Sequence, residues 1–179
     1  IERLLREAGM HVIYALGPDG ARVHPADAYR VAALSESVGA GSIVYRVECD
    51  GPAIPPDAIR IDHHRPGDPG YGRPPAEFVP ASSIGQVISR LGSLGWLPAD
   101  WPVGDGQYYS AGGCLRLDPG GWVVDDEAGG APRLIPQRYV YAAAADHCLA
   151  AAYRGECPGV HPDALMRWRA ESRAPSMHS

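Results

Sequence analysis

The chain lacks the apolar run of about 20 residues that a membrane-spanning helix needs. Its four cysteines include no C-x-x-C pair, which argues against a zinc finger. A net charge of −5 argues against a broad surface for the nucleic-acid backbone. With no recognisable secretory signal, we expect a soluble, cytoplasmic protein with free thiols, although counting alone leaves one disulfide open.

What is present is the composition of a globular protein. The 179 residues suit one domain with a hydrophobic core, and 45% of them are hydrophobic. The 22 glycines and 18 prolines predict that loops occupy a large share of the chain. The chain has one phenylalanine, nine tyrosines and four tryptophans, so most of its aromatic side chains carry a polar group.

Hydrophobic periodicity and turn residues predict alternating helices and strands. Helices are predicted at residues 1–9, 25–38, 84–94, 139–153 and 162–173, and strands at 11–16, 42–49 and 59–61. Residues 21–23 leave two interpretations open, a returning hairpin strand or a loop that leads directly to the second helix. This order predicts an α/β protein with an irregular crossover between the last two strands.

Residues 96–137 interrupt this order as a Gly/Pro-rich insertion. Within it, residues 114–117 and 121–124 predict a small β-hairpin across Asp118-Pro119-Gly120. The insertion contains aromatic side chains that could stack on a base or a sugar: Trp101, Tyr108, Tyr109 and Trp122. Packing within the insertion is the interpretation that we favour for them, because aromatic residues dominate small cores.

The most informative run is Asp62-His63-His64, which directly follows the strand at 59–61. The carboxyl ends of strands are where open α/β sheets place their sites. Neighbouring residues of a strand point to opposite faces, so both imidazoles can face one site only if the chain turns there. Arg65 and the Pro-Gly that follows it favour such a turn. A solvated surface loop is the alternative interpretation.

This run resembles the signature of the DHH phosphoesterase superfamily, whose members are metal-dependent phosphohydrolases. The resemblance covers roughly the whole chain except the insertion. It implies one domain over residues 1–179, with an open, largely parallel sheet flanked by helices and a Gly/Pro-rich β-hairpin insertion. Asp50 matches the carboxylate of the second motif, and Asp146 matches the later aspartate that leads a helix. Ser82 and Ser83 match the start of the small-residue helix after the paired histidines.

The first motif of the family, a histidine followed by two aspartates, is incomplete here. Ala15, Asp19 and Ala21 stand at its three positions, and a second alignment uses His24 and Asp27. Either alignment lacks at least one metal ligand, so a single-ion site and a site that binds phosphates without hydrolysis both remain open. Asp19 also lies in a Pro-Asp-Gly run, where we favour a turn role over metal binding.

The resemblance implies a centre for one or two Mn²⁺ or Mg²⁺ ions. The implied metal ligands are Asp19, Asp50, Asp62, His64 and Asp146. The implied catalytic residues are Asp62, His63 and His64, and the implied substrate-binding residues are Arg65, Ser82 and Ser83.

The implied function is hydrolysis of a small phosphoester, such as a nucleotide, a short oligonucleotide or a pyrophosphate compound. The expected partner is therefore a small phosphorylated substrate, with no membrane and no extended nucleic-acid surface, and a homo-oligomer stays open. The alternatives are a non-catalytic DHH-like protein for nucleotide binding or assembly, and a protein-interaction domain whose resemblance is accidental.

Overall fold

The computed structural model describes residues 1–104, 115–127 and 129–173. The chain divides into two compact units, Ile1–Gly72 and Arg73–Ser179, and each is described by itself. Both units combine helices with small sheets, which confirms the mixed α/β class. The single domain over 1–179 stays a prediction. Within the described ranges, no helix has the length and apolar character that crossing a membrane requires.

The first unit combines a short helix with two small sheets. Its elements are α1 (Glu2–Glu7), β1 (Ala15–Leu16), a 3₁₀ helix (Pro25–Asp27), β2 (Ala33–Leu34), β3 (Tyr45–Val47) and β4 (Ile59–Ile61). Strands β1 and β2 pair antiparallel, whereas β3 and β4 pair parallel. Leu16 also forms an antiparallel bridge with Arg22, so the returning strand was the better of the two interpretations for residues 21–23.

The helix predicted at 25–38 was wrong, because the chain leaves the 3₁₀ helix and becomes extended in β2. Its backbone N–H groups bond to distant parts of the chain. Val31 N donates to Asp50 O at 2.9 Å, and Ala32 N donates to Leu16 O at 2.9 Å. Val31 is fully buried. Pairing and burial in the tertiary structure therefore outweigh the local helix propensity.

Gly51 allows the chain after β3 to pass directly over this buried segment. Its φ is +150°, and a Cβ built there would lie 2.4 Å from Val31 N and 2.5 Å from Val31 O. Both atoms belong to the backbone and cannot rotate away. A side chain at position 51 is therefore excluded by contact as well as by conformation.

Glu2 connects α1 to the chain around β1. Its carboxylate accepts hydrogen bonds from the Tyr14 hydroxyl at 2.7 Å, from Arg22 at 3.0 Å and from Arg6 at 3.1 Å. These hydrogen bonds, that of Tyr14 first, lower the pKa of Glu2 to about 2. The ionised form is thus the one that the folded chain favours.

The second unit combines helices with a three-stranded sheet. Its elements are a 3₁₀ helix (Pro75–Glu77), α2 (Phe78–Ala81), α3 (Ser83–Leu94), β5 (Leu115–Asp118), β6 (Gly121–Val124), β7 (Arg133–Leu134), α4 (Gln137–His147), α5 (Leu149–Tyr153) and α6 (Pro162–Arg173). The sheet is antiparallel in the order β5-β6-β7. The helices predicted at 84–94 and 162–173 are confirmed, and the helix predicted at 139–153 is divided at Cys148.

The hairpin predicted in the insertion is confirmed, and its second strand belongs to the core of this unit. Val123 and Val124 of β6 are buried. The Trp122 ring meets Phe78 edge-on with centroids 5.5 Å apart, and the Trp101 ring lies 5.6 Å from that of Tyr139. Both tryptophans are therefore core residues of the unit, but they pack against residues outside the insertion rather than within it. The remaining predictions for the insertion concern residues outside the described ranges: Tyr108, Tyr109 and Cys114.

Candidate metal centre

The parallel pair β3–β4 brings two carboxylates to the same end of a sheet. Val47 lies opposite Ile61 in the pairing register. Glu48 directly follows β3, and Asp62 directly follows β4. Glu48 N donates to Ile61 O at 3.0 Å, so the register continues to the point where the strands end. The carboxyl ends of parallel strands are a common location for functional sites.

Three side chains converge at this end of the sheet. Glu48, His63 and His64 each offer one ligand atom, and these atoms lie within 4.8 Å of one another. Glu48 Oε1 is 3.9 Å from His63 Nδ1. A tetrahedral ion with bonds of about 2.0–2.2 Å holds its ligand atoms about 3.4 Å apart. The observed separations exceed this spacing by up to about 1.4 Å, so the three side chains would close by that amount around an ion.

Both imidazoles reach the same site because the chain turns immediately after β4. Asp62 Oδ1 accepts the backbone N–H groups of His63 at 2.8 Å and His64 at 3.2 Å. This pattern bends the backbone toward its own carboxylate. The two rings then lie face to face, with centroids 4.1 Å apart and planes tilted by 31°. The turn expected at Arg65-Pro66-Gly67 is confirmed, since Asp68 N donates to Arg65 O at 2.9 Å, and the hydrogen bonds to Asp62 add a second bend before it.

Asp62 is the buried anchor of the cluster. Its Oδ1 lies 2.8 Å from His64 Nδ1, and its Oδ2 accepts a hydrogen bond from the Tyr29 hydroxyl at 2.8 Å. Burial would raise the pKa of Asp62, but the hydrogen bonds from His64, Tyr29 and the backbone outweigh burial and lower it. With His64 Nδ1 held by Asp62, a metal ion would be bound through Nε2, as in carboxylate–histidine–metal arrangements.

Glu48 carries two signs of a functional position. Among the described residues it is the one non-glycine residue with a positive φ, at +51°. Its Oε1 atom is buried and has no hydrogen-bond partner within the described part of the chain. A buried carboxylate oxygen left without a partner is costly, and strained backbone is concentrated at functional sites. A cation beside His63 and His64 would satisfy this oxygen, so the donor set fits a metal ion.

The loop after the cluster is held by the buried Asp68. Its Oδ2 accepts the backbone N–H of Arg65 at 2.7 Å, and its Oδ1 accepts from Arg60 at 3.0 Å. The exposed Arg65 side chain stacks on Tyr29, with its guanidinium carbon 3.3 Å from the ring centroid. Stacking uses the face of the guanidinium and leaves its N–H edges for hydrogen bonding.

Three of the predicted ligands in this unit are outside this group of three: Asp19, Asp50 and Asp62, the last of which contacts His64 Nδ1. Asp50 Oδ1 lies 2.5 Å from Arg46 Nη1 and accepts the Gly51 N–H at 2.9 Å. Burial would raise the pKa of Asp50, but the Gly51 N–H, Arg46 and Arg60 outweigh burial and lower it. Asp19 Oδ1 accepts the N–H of residue 21 at 3.1 Å, which is turn chemistry. Metal binding by these three residues stays a prediction.

The other predicted site residues lie in the second unit. Ser82 caps α3, because its Oγ accepts the Gly85 N–H at 3.1 Å and donates to Val79 O at 3.0 Å. Ser82 and Ser83 are both fully buried. Asp146 lies in the last turn of α4. Substrate binding by the two serines and metal binding by Asp146 stay predictions.

Sequence reasoning missed Glu48 and Tyr29. A signal existed for Glu48, because it directly follows β3 in the same way that Asp62 directly follows β4. The strand was predicted to run to Cys49, which moved the expected carboxylate to Asp50. No comparable signal existed for Tyr29, because it lies in the segment predicted as a helix.

Three comparisons, with protein-family models, with curated proteins and with solved structures, found no match to this chain. The DHH resemblance therefore depends on the motif alone. The geometry at the end of β3 and β4 is the structural feature that bears on function.

Proposed function

We propose that this chain is a metal-dependent phosphohydrolase acting on a small phosphoester, with Glu48, His63 and His64 holding one divalent ion. The observation that supports the proposal is the convergence of three ligand atoms, among which the buried Glu48 Oε1 accepts no hydrogen bond from the described residues. A DHH-like open parallel sheet remains part of the proposal. The parallel β3–β4 pair, with the donors at its carboxyl end, is consistent with it.

The donor set favours some ions over others. Imidazole nitrogens suit Zn²⁺, Fe²⁺ and related transition metals, whereas Mg²⁺ prefers oxygen ligands in octahedral geometry. Two imidazoles and one carboxylate therefore favour a transition metal such as Zn²⁺ over Mg²⁺. Three protein ligands leave positions for water and substrate, as catalytic sites require.

The neighbouring side chains take distinct roles in this proposal. Asp62 fixes the orientation of His64, and Tyr29 supports Asp62 from the opposite carboxylate oxygen. Arg65, which is exposed and stacked on Tyr29, binds the phosphate of the substrate in this proposal. When bound, the ion supplies a Lewis acid and a source of hydroxide near neutral pH.

One observation favours a second candidate, a non-catalytic DHH-like protein for nucleotide binding or assembly. Asp50, the expected ligand of the second motif, is paired with Arg46 and lies 3.9 Å from Arg60. A site with one ion stabilises less charge on a phosphoryl group than a site with two ions. Metal and nucleotide binding without turnover would support this candidate.

The test measures metal content and hydrolysis in the same preparations. The protein is stripped with a chelator, reloaded with Zn²⁺ or Mn²⁺, and assayed with p-nitrophenyl phosphate and bis(p-nitrophenyl) phosphate. Glu48→Gln removes a ligand charge at nearly constant shape. Glu36→Gln makes the same chemical change at an exposed position outside the cluster and is the matched control.

We expect Glu48→Gln to lose more than about 100-fold in metal affinity. Loss of a residue that only hydrogen-bonds to a ligand typically costs about 10–100-fold, and loss of a ligand charge should cost more. Hydrolysis should fall with it, and Glu36→Gln should retain both metal affinity and hydrolysis. Wild-type metal binding and activity in folded Glu48→Gln would refute the site. If the wild type binds metal but hydrolyses neither ester, the enzyme proposal is refuted and the non-catalytic candidate is favoured.

A further inference from the structure

Two cysteines of the second unit lie almost within bonding distance. Cys148 separates α4 from α5, and Cys157 follows α5. Their Sγ atoms are 2.9 Å apart, and both are thiols in this structure. A disulfide has an S–S distance of about 2.05 Å, so the two sulfurs would need to approach by about 0.9 Å.

The backbone around α5 creates this proximity. Glu156 N donates to Ala151 O at 3.0 Å, and Gly155 N donates to Ala152 O at 3.1 Å. Together with the φ of +77° at Gly155, these bonds form a Schellman motif, which ends the helix and reverses the chain. The reversal returns Cys157 to the start of α5, where Cys148 lies. The thiols therefore meet because of a defined helix end.

The two thiols differ in access. Cys157 is 2% exposed, whereas Cys148 is only partly buried. Burial raises the pKa of both thiols, that of Cys157 to about 12. The raised pKa values slow oxidation near neutral pH, because the thiolate is the nucleophile. The difference in exposure sets the order, so an oxidant from solvent meets Cys148 first, and Cys157 is placed to react with the sulfur of Cys148.

We propose that Cys148 and Cys157 form an intramolecular disulfide on exposure to a small disulfide oxidant such as oxidised glutathione. The Cys148 thiolate attacks one sulfur of the oxidant, forms a mixed disulfide and releases one thiolate. Cys157 loses its proton to solvent and attacks Cys148 Sγ, and the second thiolate leaves. The protein gives up two electrons and two protons, and the oxidant is reduced to two thiols.

The bond would close a short loop around α5 (Leu149–Tyr153). A cross-link over a loop of about ten residues lowers the unfolding equilibrium constant about 100-fold in the chain-entropy model. Oxidation thus acts on the helical part of the second unit and involves none of the metal-binding side chains proposed above. The two proposals can fail independently.

The test exposes the intact chain to oxidised glutathione, blocks the remaining thiols with N-ethylmaleimide and maps the peptides by mass spectrometry. We expect Cys148 and Cys157 to be protected together and to be recovered with dithiothreitol. Cys157→Ser should accumulate glutathione on Cys148, because the resolving thiol is missing. Cys148→Ser should leave Cys157 reduced, and Cys49→Ser should behave as the wild type.

The oxidised wild type should also unfold in urea with an equilibrium constant about 100-fold lower than the reduced form. Cys148→Ser should show no such difference. Independent alkylation of Cys148 and Cys157 after oxidation would overturn the proposal, as would a disulfide to Cys49, to Cys114 or to a second chain. Equal amounts of glutathione on wild type and Cys157→Ser would contradict the order of attack and the proposal with it.

Discussion

Replacing Asp62 by asparagine separates the charge of the buried anchor from its shape. Asp62 Oδ1 accepts from the backbone of both histidines and from His64 Nδ1, and Oδ2 accepts from Tyr29. The oxygen of an asparagine can keep the first three bonds. Its NH₂ group can donate to the Tyr29 oxygen after the hydroxyl rotates. The substitution therefore preserves the turn and removes the negative charge behind His64.

The expected size of the effect follows from the His64 contact. Hydrogen bonds that involve a charged group contribute about 1.5–3 kcal/mol, against about 0.5–1.5 kcal/mol for neutral pairs. Asp62→Asn therefore weakens the hydrogen bond to His64 Nδ1 by about 1 kcal/mol and makes the His64 imidazole less basic. Removing such an outer partner typically costs about 10–100-fold in metal affinity. We expect about tenfold for Asp62→Asn, because the hydrogen bond itself survives.

The assay is competition for Zn²⁺ between the protein and a chromophoric chelator, supported by the visible spectrum of the Co²⁺ form. Tyr29→Phe is the matched control, because it removes one hydrogen bond to Asp62, keeps the ring under Arg65 and leaves the charge. Its affinity should change less than that of Asp62→Asn. Urea unfolding of the apo forms separates loss of affinity from loss of fold. Wild-type affinity in a folded Asp62→Asn variant would refute the orienting role of Asp62.

Three further predictions concern stability. Glu2→Gln should lower the Tm at pH 7. Folding lowers the pKa of Glu2 from 4.5 to about 2, so its ionised carboxylate stabilises the fold fully above pH 4.5 and progressively less below it. The difference in Tm from the wild type should therefore vanish as the pH falls through about 2. Gly51→Ala should cost on the order of 3 kcal/mol in urea unfolding, because its Cβ would clash with the backbone, whereas Gly20→Ala, with φ +77° and nothing within 4 Å, should cost only about 1 kcal/mol. If the two alanine variants lose the same free energy of unfolding, the clash with the Val31 backbone does not explain the effect at position 51. Ser82→Ala should cost about 1 kcal/mol through loss of the α3 cap, and Ser93→Ala, within the same helix, clearly less.

Elements with clear ends could be predicted from the sequence. The strand at 59–61 ends where a carboxylate and two imidazoles begin, and α3 begins at its Ser82 cap and ends at Gly95, whose φ is +69°. The hairpin of β5 and β6 has a Pro-Gly turn. In each case the signal is local, because side chains within a few residues decide where the backbone hydrogen bonds stop.

The parts that could not be predicted depend on distant partners. The segment around Val31 has the spacing of a helix, but its N–H groups bond to Asp50 and to β1. The candidate centre shows the same division. The histidine pair is visible as a motif, whereas the participation of Glu48 depends on where β3 ends, which is set by pairing with β4. The roles of Asp146, Ser82 and the other untested positions stay predictions.

The parallel pair also determines how much of the polymer must be ordered before the donors can meet. Glu48 and His64 are separated by a single short connection, and closing such a connection costs little entropy compared with closing one across the whole chain. The donor set can therefore assemble as soon as β3 and β4 associate. If the proposed ion binds at that stage, it stabilises the associated strands, and the first unit acquires the ion while it folds rather than afterwards.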